Sequence, residues 1–282
     1  MKNVSVIGAG LMGSQIAMCA ALAGFTVHLH DVDEQRLLNG KKQLAKQLEK
    51  YIARGIISAE QLEQANEKLL LEPSLQKAVV NADIVIEAIV EDLSLKRALF
   101  QQLDQLAPNK AILATNSSMI VSSMLANYTN RPEKVCNIHF FNPVFLMDVV
   151  EVVQGEHTSE ETATKAVEFV KQLHKTPLHL KKEIPGFIVN RILGKIMDEA
   201  MLLLEEGIAT IEEIDLACTK ALNHPIGPFA LMDMTGLDTA YAIQQTQFEL
   251  EEQAKQPSLL LKQKLENGHL GRKSGQGFYT YN

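Results

Sequence analysis

Two groups of residues in this chain have the types and spacing to do chemistry. The first is Gly8-Ala9-Gly10-Leu11-Met12-Gly13, a G-x-G-x-x-G pattern that directly follows a β-branched run and directly precedes a helical one. In that setting the first glycine permits a tight turn, the second lets a pyrophosphate approach the backbone, and the third lets helix and strand pack closely. The N–H groups of the helix start then face the phosphates. Glycines that serve only a tight turn are the plainer reading. Asp31 ends the next strand at about the 20-residue distance where a carboxylate meets an adenosine ribose. It would accept hydrogen bonds from both ribose hydroxyls and repel a 2′-phosphate, so NAD is expected over NADP. Asp33 competes for that role and also reads as the cap of the following helix.

The second group is a histidine and a glutamate. His139 lies in Asn137-Ile138-His139-Phe140-Phe141-Asn142-Pro143, and Glu151 lies in Val149-Val150-Glu151-Val152-Val153. A lone strand histidine is more often structural than catalytic, and a lone strand glutamate usually faces water. On neighbouring strands the two suggest a pair whose carboxylate fixes the imidazole tautomer and stabilises its protonated form. A purely structural polar pair is the other reading.

The elements that must position these residues follow from the apolar pattern. Strand-like runs occur at residues 4–7, 26–30, 84–89, 111–115, 135–141 and 149–153, alternating with amphipathic stretches. Strands separated by helices imply a mostly parallel sheet of the doubly wound, Rossmann type. Between Asp33 and Leu71 no strand signal occurs; the pattern predicts two helices broken near Gly55 and Ser58. Pro185 and Gly186 end a charged run before a long helical pattern at residues 187–206, so the domains are expected at 1–183 and 184–282. Further helices are expected at 210–222, 228–234, 237–254 and 257–267, making the second domain smaller and all helical. A helical domain of this size commonly completes its core against a twin, so a homodimer is expected.

The chain has 282 residues, 46% hydrophobic and 22% charged, the balance of a globular enzyme. Its formal net charge of -7 runs against a surface built to neutralise phosphodiester backbones, so no nucleic-acid partner is expected. Cys19, Cys136 and Cys218 are far apart and lack C-x-x-C spacing, which suggests neither a disulfide framework nor a zinc site and fits a reducing cytoplasm. The apolar segment up to Ala23 superficially resembles a secretory signal, but Gly8, Gly10, Gly13 and Gln15 interrupt it. No stretch approaches the roughly 20 apolar residues of a bilayer span, so no membrane partner is expected.

Nearly end to end, the sequence resembles the L-3-hydroxyacyl-CoA dehydrogenases, and most of all their short bacterial 3-hydroxybutyryl-CoA members. The likeness runs through residues 6–13, Val85-Ile86-Glu87-Ala88 with Glu91, residues 139–143, Pro185-Gly186-Phe187-Ile188-Val189-Asn190-Arg191, Asn223-His224-Pro225-Ile226-Gly227-Pro228, and Gly271-Arg272-Lys273-Ser274-Gly275-Gln276-Gly277-Phe278-Tyr279. It implies an NAD-dependent oxidation of a 3-hydroxyacyl-CoA, with His139 as acid/base and Glu151 as its partner. It puts Ser118 at the substrate-contacting serine, with Ser117 the neighbouring alternative, and Asn190 at an asparagine that reaches the substrate from the second domain. Glu91, Lys96, Asn142 and Lys273 match positions near NAD, and Asn223 a residue facing the substrate. Each has a plain alternative: turn contacts for Ser118, a helix-surface asparagine for Asn190, solvated helix charges for Glu91 and Lys96, a turn residue for Asn142, and a mobile glycine-rich tail for Lys273.

Departures from the family pattern fall at three places. Met119 stands where a serine is usual, and Phe145-Leu146-Met147-Asp148 replaces a run that ends in lysine, which bears on acyl-chain or CoA preference. The usual CoA-facing serine and lysine are matched by Gln47 and Arg54, of which Arg54 can still bind an anionic CoA phosphate. Two other readings use the same architecture: a dehydrogenase of another hydroxy acid such as carnitine or a sugar acid, and a non-catalytic nucleotide-binding or structural relative.

Overall fold

The computed structural model describes residues 1–250 and 255–281. It forms two compact units, Met1–Phe187 and Ile188–Asn282. The first unit begins with β1 (Asn3–Ile7), α1 (Leu11–Leu22), β2 (Thr26–His30), α2 (Glu34–Ala53), α3 (Ala59–Lys68) and β3 (Leu69–Glu72). It continues through α4 (Leu75–Val79), β4 (Ile84–Glu87), α5 (Leu93–Leu106), β5 (Ile112–Thr115), α6 (Ser123–Ala126) and β6 (Val135–Phe140). It closes with β7 (Val149–Val153), α7 (Glu160–Gln172) and β8 (Thr176–Leu180).

One eight-stranded sheet runs in the order β3-β2-β1-β4-β5-β6-β7-β8. Neighbouring strands are parallel except β6 and β7, which are antiparallel. Both faces are covered, which is why the central strands read as almost continuous apolar runs. Val4, Val6, Ile84, Ile86 and Ala114 pack on one face with α1, while Ile7, Val85 and Leu113 pack on the other with Phe100 and Leu103 of α5. Residues 13–21 of α1 are buried on every side, so this helix has no polar stripe and its sequence resembles a leader segment.

The insertion after β2 is two helices, as its periodicity predicts. Asp33 caps α2, its side chain accepting from the N–H groups of Gln35 and Arg36, and Ser58 with Gln61 forms a capping box on α3. Two strands differ from the sequence expectation. Leu69-Leu70-Leu71 has no β-branched residue and reads as the end of a helix, yet it pairs with β2 as β3. Thr176-Pro177-Leu178-His179-Leu180 is broken as a strand pattern by Pro177, and β8 tolerates that proline because it is the edge of the sheet. The expected runs 84–89 and 135–141 end as strands at Glu87 and Phe140.

The second unit holds α8 (Val189–Glu205), α9 (Ile211–Lys220), α10 (Pro228–Thr235), α11 (Leu237–Leu250) and α12 (Leu259–Glu266). The last four residues of the helix expected to reach position 254 lie outside the described residues. Its core is built on Ala200, Met201, Ile214, Phe229, Met232, Leu237 and Leu261. Two buried carboxylates organise the rest. Asp215 accepts from the N–H groups of Phe229 and Ala230 at the start of α10 and from the Tyr279 hydroxyl. Asp233, 1% exposed, accepts from the N–H groups of Phe278 and Tyr279 and from the Tyr281 hydroxyl. Burial, then the Asp215 carboxylate, push the Tyr279 phenol well above its ordinary pKa, so it stays a donor.

This arrangement corrects the reading of the glycine-rich tail as mobile, because residues 271–281 are pinned to α10. A Cβ on Gly277 would lie 2.0 Å from Asp233 Oδ1, and one on Gly227 would lie 2.3 Å from Asp215 Cγ. Gly277→Ala is therefore expected to displace the Asp233 carboxylate and cost about 1–3 kcal/mol, the usual range for overpacking. A urea melt checks this; a midpoint unchanged from wild type would contradict the packing described.

Candidate active site

The turn between β1 and α1 needs its glycines for different reasons. Gly8 has φ +107°, and a Cβ there would lie 2.6 Å from Ala88 O. A Cβ on Gly13 would lie 1.8 Å from Gly8 O, so strand and helix touch at backbone distance. On Gly10 the same atom meets nothing within 4 Å. Gly10 is also the N-cap of α1, with no side-chain cap, which leaves the first N–H groups of the helix, those of the Leu11-Met12 turn, free for an anion. The loop thus presents open space and uncapped donors where a pyrophosphate would sit. Gly8, Gly10 and Asp31 share a cavity of about 900 Å³ with Val32, Arg36 and Gly40.

Asp31 is buried at the end of β2. Its Oδ2 accepts from Ala9 N at 2.9 Å and its Oδ1 from Asp33 N at 3.1 Å, so the carboxylate is tied to the glycine turn. Each oxygen keeps a lone pair for a ribose hydroxyl. Asp33 instead spends its side chain on the cap of α2.

At the ends of β4 and β5 lies a buried charge network. Lys96 is 1% exposed and Glu87 0% exposed, with Lys96 Nζ 2.5 Å from Glu87 Oε1 and 3.3 Å from Glu91 Oε2. Glu87 also accepts from Ile89 N at 2.7 Å and from the Thr115 hydroxyl at 2.6 Å. Ser117 Oγ donates to Glu91 and accepts from Ile120 N. Lys96 is therefore not a solvated helix charge. It holds two carboxylates, of which Glu91 alone reaches the surface. Removing one partner of such a pair strands the other in a dry site, at a cost of roughly 3–5 kcal/mol.

His139 and Glu151 stand directly opposite each other in the antiparallel ladder of β6 and β7. Nδ1 of His139 is 2.8 Å from Glu151 Oε2, with Glu151 0% exposed. A carboxylate only accepts, so Nδ1 carries the hydrogen and the neutral ring keeps its lone pair on Nε2. The ring packs edge-on against Phe141, centroids 4.5 Å apart, and tilted against Phe187 at 5.6 Å. The arrangement can accept a proton at Nε2 and return it.

Ser118 is half-buried in the loop after β5, and its carbonyl accepts from Gly186 N. Its hydroxyl makes no hydrogen bond among the described residues, whereas that of Ser117 is engaged as above. Asn142 is exposed and accepts from Gln15 Nε2 at 3.2 Å; Gln15 Oε1 takes Val144 N at 2.8 Å. Asp148 accepts from the Thr176 hydroxyl at 2.6 Å, which ties it to the start of β8, and Phe145 packs on Tyr51 of α2. Arg54 is exposed at the C-cap of α2, and Gln47 lines a small pocket with Gly10 and Leu11.

In the second unit Asn190 lies half-buried in the first turn of α8. Asn223 is exposed, with φ 56°. Lys273 is paired with Asp238 at 2.5 Å. Sequence reasoning did not assign Glu87, Thr115 or Gln15 to the site. A glutamate closing an apolar strand and a glutamine within an apolar helix are the signals that could have found two of them; Thr115 carries none.

A doubly wound sheet with a glycine turn at its first crossover, an acidic residue closing the second strand and a His–Glu pair defines a nicotinamide-dinucleotide oxidoreductase. The chain matches the model of the 3-hydroxyacyl-CoA dehydrogenase NAD binding domain over residues 3–184 and that of the 3-hydroxyacyl-CoA dehydrogenase C-terminal domain over residues 186–281. It belongs to the 3-hydroxyacyl-CoA dehydrogenase family, and its cofactor is NAD. It is 39% identical over 282 residues to a probable 3-hydroxybutyryl-CoA dehydrogenase of Bacillus subtilis, covering 100% of this chain and 98% of that one. The crystal structure of (S)-3-hydroxybutyryl-CoA dehydrogenase from Ralstonia eutropha superposes with TM-score 0.92 at 36% identity, covering 100% of this chain and 99% of that one. A diketoreductase structure, described for catalysis of dicarbonyl compounds, has TM-score 0.89 and 36% identity over 100% of this chain and 99% of its own.

Because Gly10 faces open space and has φ -70°, Gly10→Ala is expected to melt with wild-type stability while binding NADH at least 10-fold more weakly. Calorimetric titration and a thermal melt separate the two effects. Unchanged NADH affinity would show that the open space beside Gly10 is not where the cofactor approaches.

Proposed function

We propose that this protein interconverts L-3-hydroxyacyl-CoA and 3-ketoacyl-CoA with NAD, acting on short acyl chains such as 3-hydroxybutyryl-CoA, with His139 as the acid/base. The observation that carries this reading is the His139–Glu151 contact at 2.8 Å, buried and held in strand register. With its pyrophosphate held at the glycine turn, NAD would supply the hydride acceptor for oxidation and, as NADH, the hydride donor for reduction. His139 Nε2 takes the hydroxyl proton as the alcohol is oxidised and returns it as the ketone is reduced. Glu151 keeps the ring in the tautomer with Nε2 available and offsets the charge of the imidazolium, and a base so positioned typically contributes about 10²–10⁴-fold. Ser118 supplies a hydroxyl for the reacting oxygen; its uncommitted Oγ favours it over Ser117.

Among the cofactor contacts we assign Asp31 to the adenosine ribose, with Glu91, held by Lys96 and Ser117, and Asn142, oriented by Gln15, nearer the nicotinamide end. Lys96 acts through Glu91, since its ammonium is enclosed. Asn190, Asn223 and Lys273 are assigned on the family likeness. Arg54, exposed and outside the ion pairs of the described residues, is the proposed contact for a CoA phosphate.

A homodimer through the second unit is part of the same proposal. Ile192, Ile196, Leu203, Ile214 and Leu222 line a groove of about 620 Å³, and Ile192 and Leu222 are 60% and 63% exposed. A patch of that kind suits burial against a second copy. No helix of the described residues is long and apolar enough to cross a membrane. Burial pushes the free thiols of Cys19 and Cys136 up to about 11 and about 12, and unpaired thiols of this kind support a cytoplasmic location.

The direct test mixes protein with acetoacetyl-CoA and NADH and follows loss of the reduced cofactor's absorbance, with free acetoacetate, a simple diketone, and carnitine plus NAD as comparisons. Turnover on the thioester is expected; turnover confined to the free compounds would transfer the reading to another carbonyl substrate. His139→Ala and Glu151→Gln should each lower kcat at least 100-fold with NADH affinity within about twofold. A fully active Glu151→Gln would make the partnership structural only. Asp31 predicts NADH over NADPH, and equal use of the two would remove it from the ribose.

A further inference from the structure

Among the described residues, three other than glycine have left-handed backbones: His174, Phe187 and Asn223, at φ 58°, 51° and 56°. Histidine and asparagine enter that region several-fold more readily than other residues, whereas a bulky aromatic there is an outlier. Asn223 is exposed, while Phe187 is 1% exposed. A large side chain buried on an unfavourable backbone persists only where its surroundings over-determine it, and such positions cluster where geometry serves a function.

The surroundings of Phe187 form a clamp. Phe187 N donates to Ile184 O at 3.0 Å, and Gly186 N donates to Ser118 O at 2.8 Å. Just upstream, Glu183 Oε1 accepts from Ser122 Oγ at 2.5 Å and from Ser123 N at 2.9 Å. Residues 183–187 are thus stapled to the loop after β5 before the backbone turns left-handed at Gly186 and Phe187. That turn drives the ring into a small cluster with Val121, Val153 and Leu180, where it meets the imidazole of His139.

One hydrogen bond is a pivot. Glu151 holds Nδ1 of His139 at a point, but the plane of the ring and the direction of Nε2 stay free to swing about it. Phe141 blocks the swing edge-on, and Phe187, tilted by 57°, supplies a second contact. We propose that Phe187 is a positioning residue for His139, its ring fixing the plane of the imidazole so that Nε2 points at the reacting hydroxyl. The strained backbone and the clamp to the loop that carries Ser118 exist to deliver that ring. This inference rests on the reading of His139 as the proton-transfer group.

The test uses the full-length protein with Phe187→Leu, which keeps apolar bulk and the same backbone demand but deletes the ring. Expected is a fall in kcat for acetoacetyl-CoA of about 10–100-fold, since small misplacements of a reacting group cost up to ~10², with the dissociation constant for NADH within twofold. The Cε1–H nuclear magnetic resonance of His139, identified by its loss in His139→Ala, should shift and broaden in the same variant as ring current and restraint disappear. Wild-type kcat in Phe187→Leu overturns the proposal, and so does a loss of kcat with the His139 resonance unmoved, which would locate the effect elsewhere. Should Phe187→Leu fail to fold, Phe187→Met is read by the same two measurements. Full turnover by His139→Ala would instead sink the acid/base reading, and the resonance would still report whether Phe187 restrains the imidazole.

Discussion

The contact between His139 and Glu151 depends on the direction of one strand. In this otherwise parallel sheet β7 runs back along β6, and in an antiparallel pair residues directly opposite have side chains about 4.5–5.5 Å apart at Cβ. An imidazole and a carboxylate twelve residues apart in the chain are thereby made neighbours without any loop to adjust. A slip of one residue would turn the glutamate to the other face of the sheet. The flanking valines and phenylalanines bury both faces and guard that register, and they also dry the pair, so that the ionic hydrogen bond acts in a medium that weakens it little.

The same economy governs a second polar cluster. Glu87, Lys96, Thr115, Glu91 and Ser117 form a connected polar cluster at the C-terminal ends of β4 and β5, where a doubly wound sheet presents its ligands. Buried charges are tolerated when each lone pair and proton finds a partner. Here every charged group of the cluster has an oppositely charged partner, and one carboxylate, that of Glu91, is left at the surface. Order at the surface is thus imposed from beneath.

In the helical unit the strongest local motifs turn out to be packing devices. The His-Pro-Ile-Gly-Pro run brings Gly227 against Asp215, and the Gly-Arg-Lys-Ser-Gly-Gln-Gly-Phe-Tyr run brings Gly271 and Gly277 against Asp233. At Gly227 and Gly277 an aspartate side chain already fills the space a methyl group would take, and at Gly271, with φ +90°, the backbone of Asp233 does. Asp215 also caps α10, and together the two aspartates secure the C-terminal residues, so a segment that reads as loose by composition is tied to them by four hydrogen bonds that no local pattern announces.

Local patterns in the sequence determined the glycine turn, most strands and helices with the two-helix insertion, the mostly parallel Rossmann class and the all-helical second part, because periodicity and turn chemistry act over a few residues. They also singled out His139, Glu151 and Asp31 by placing charge among residues that want burial. What only the tertiary structure decided is non-local. The leucines of β3 and the proline-bearing β8 became strands because open sheet edges accepted them against local preference. The ammonium of Lys96 went inside because Glu87 and Glu91, brought by different elements, were there to meet it. The ring of Phe187 turned onto His139 because a clamp from the loop after β5 made an unfavourable backbone angle the best one open to it, and no reading of neighbours along the chain contains a contact made by residues distant in it.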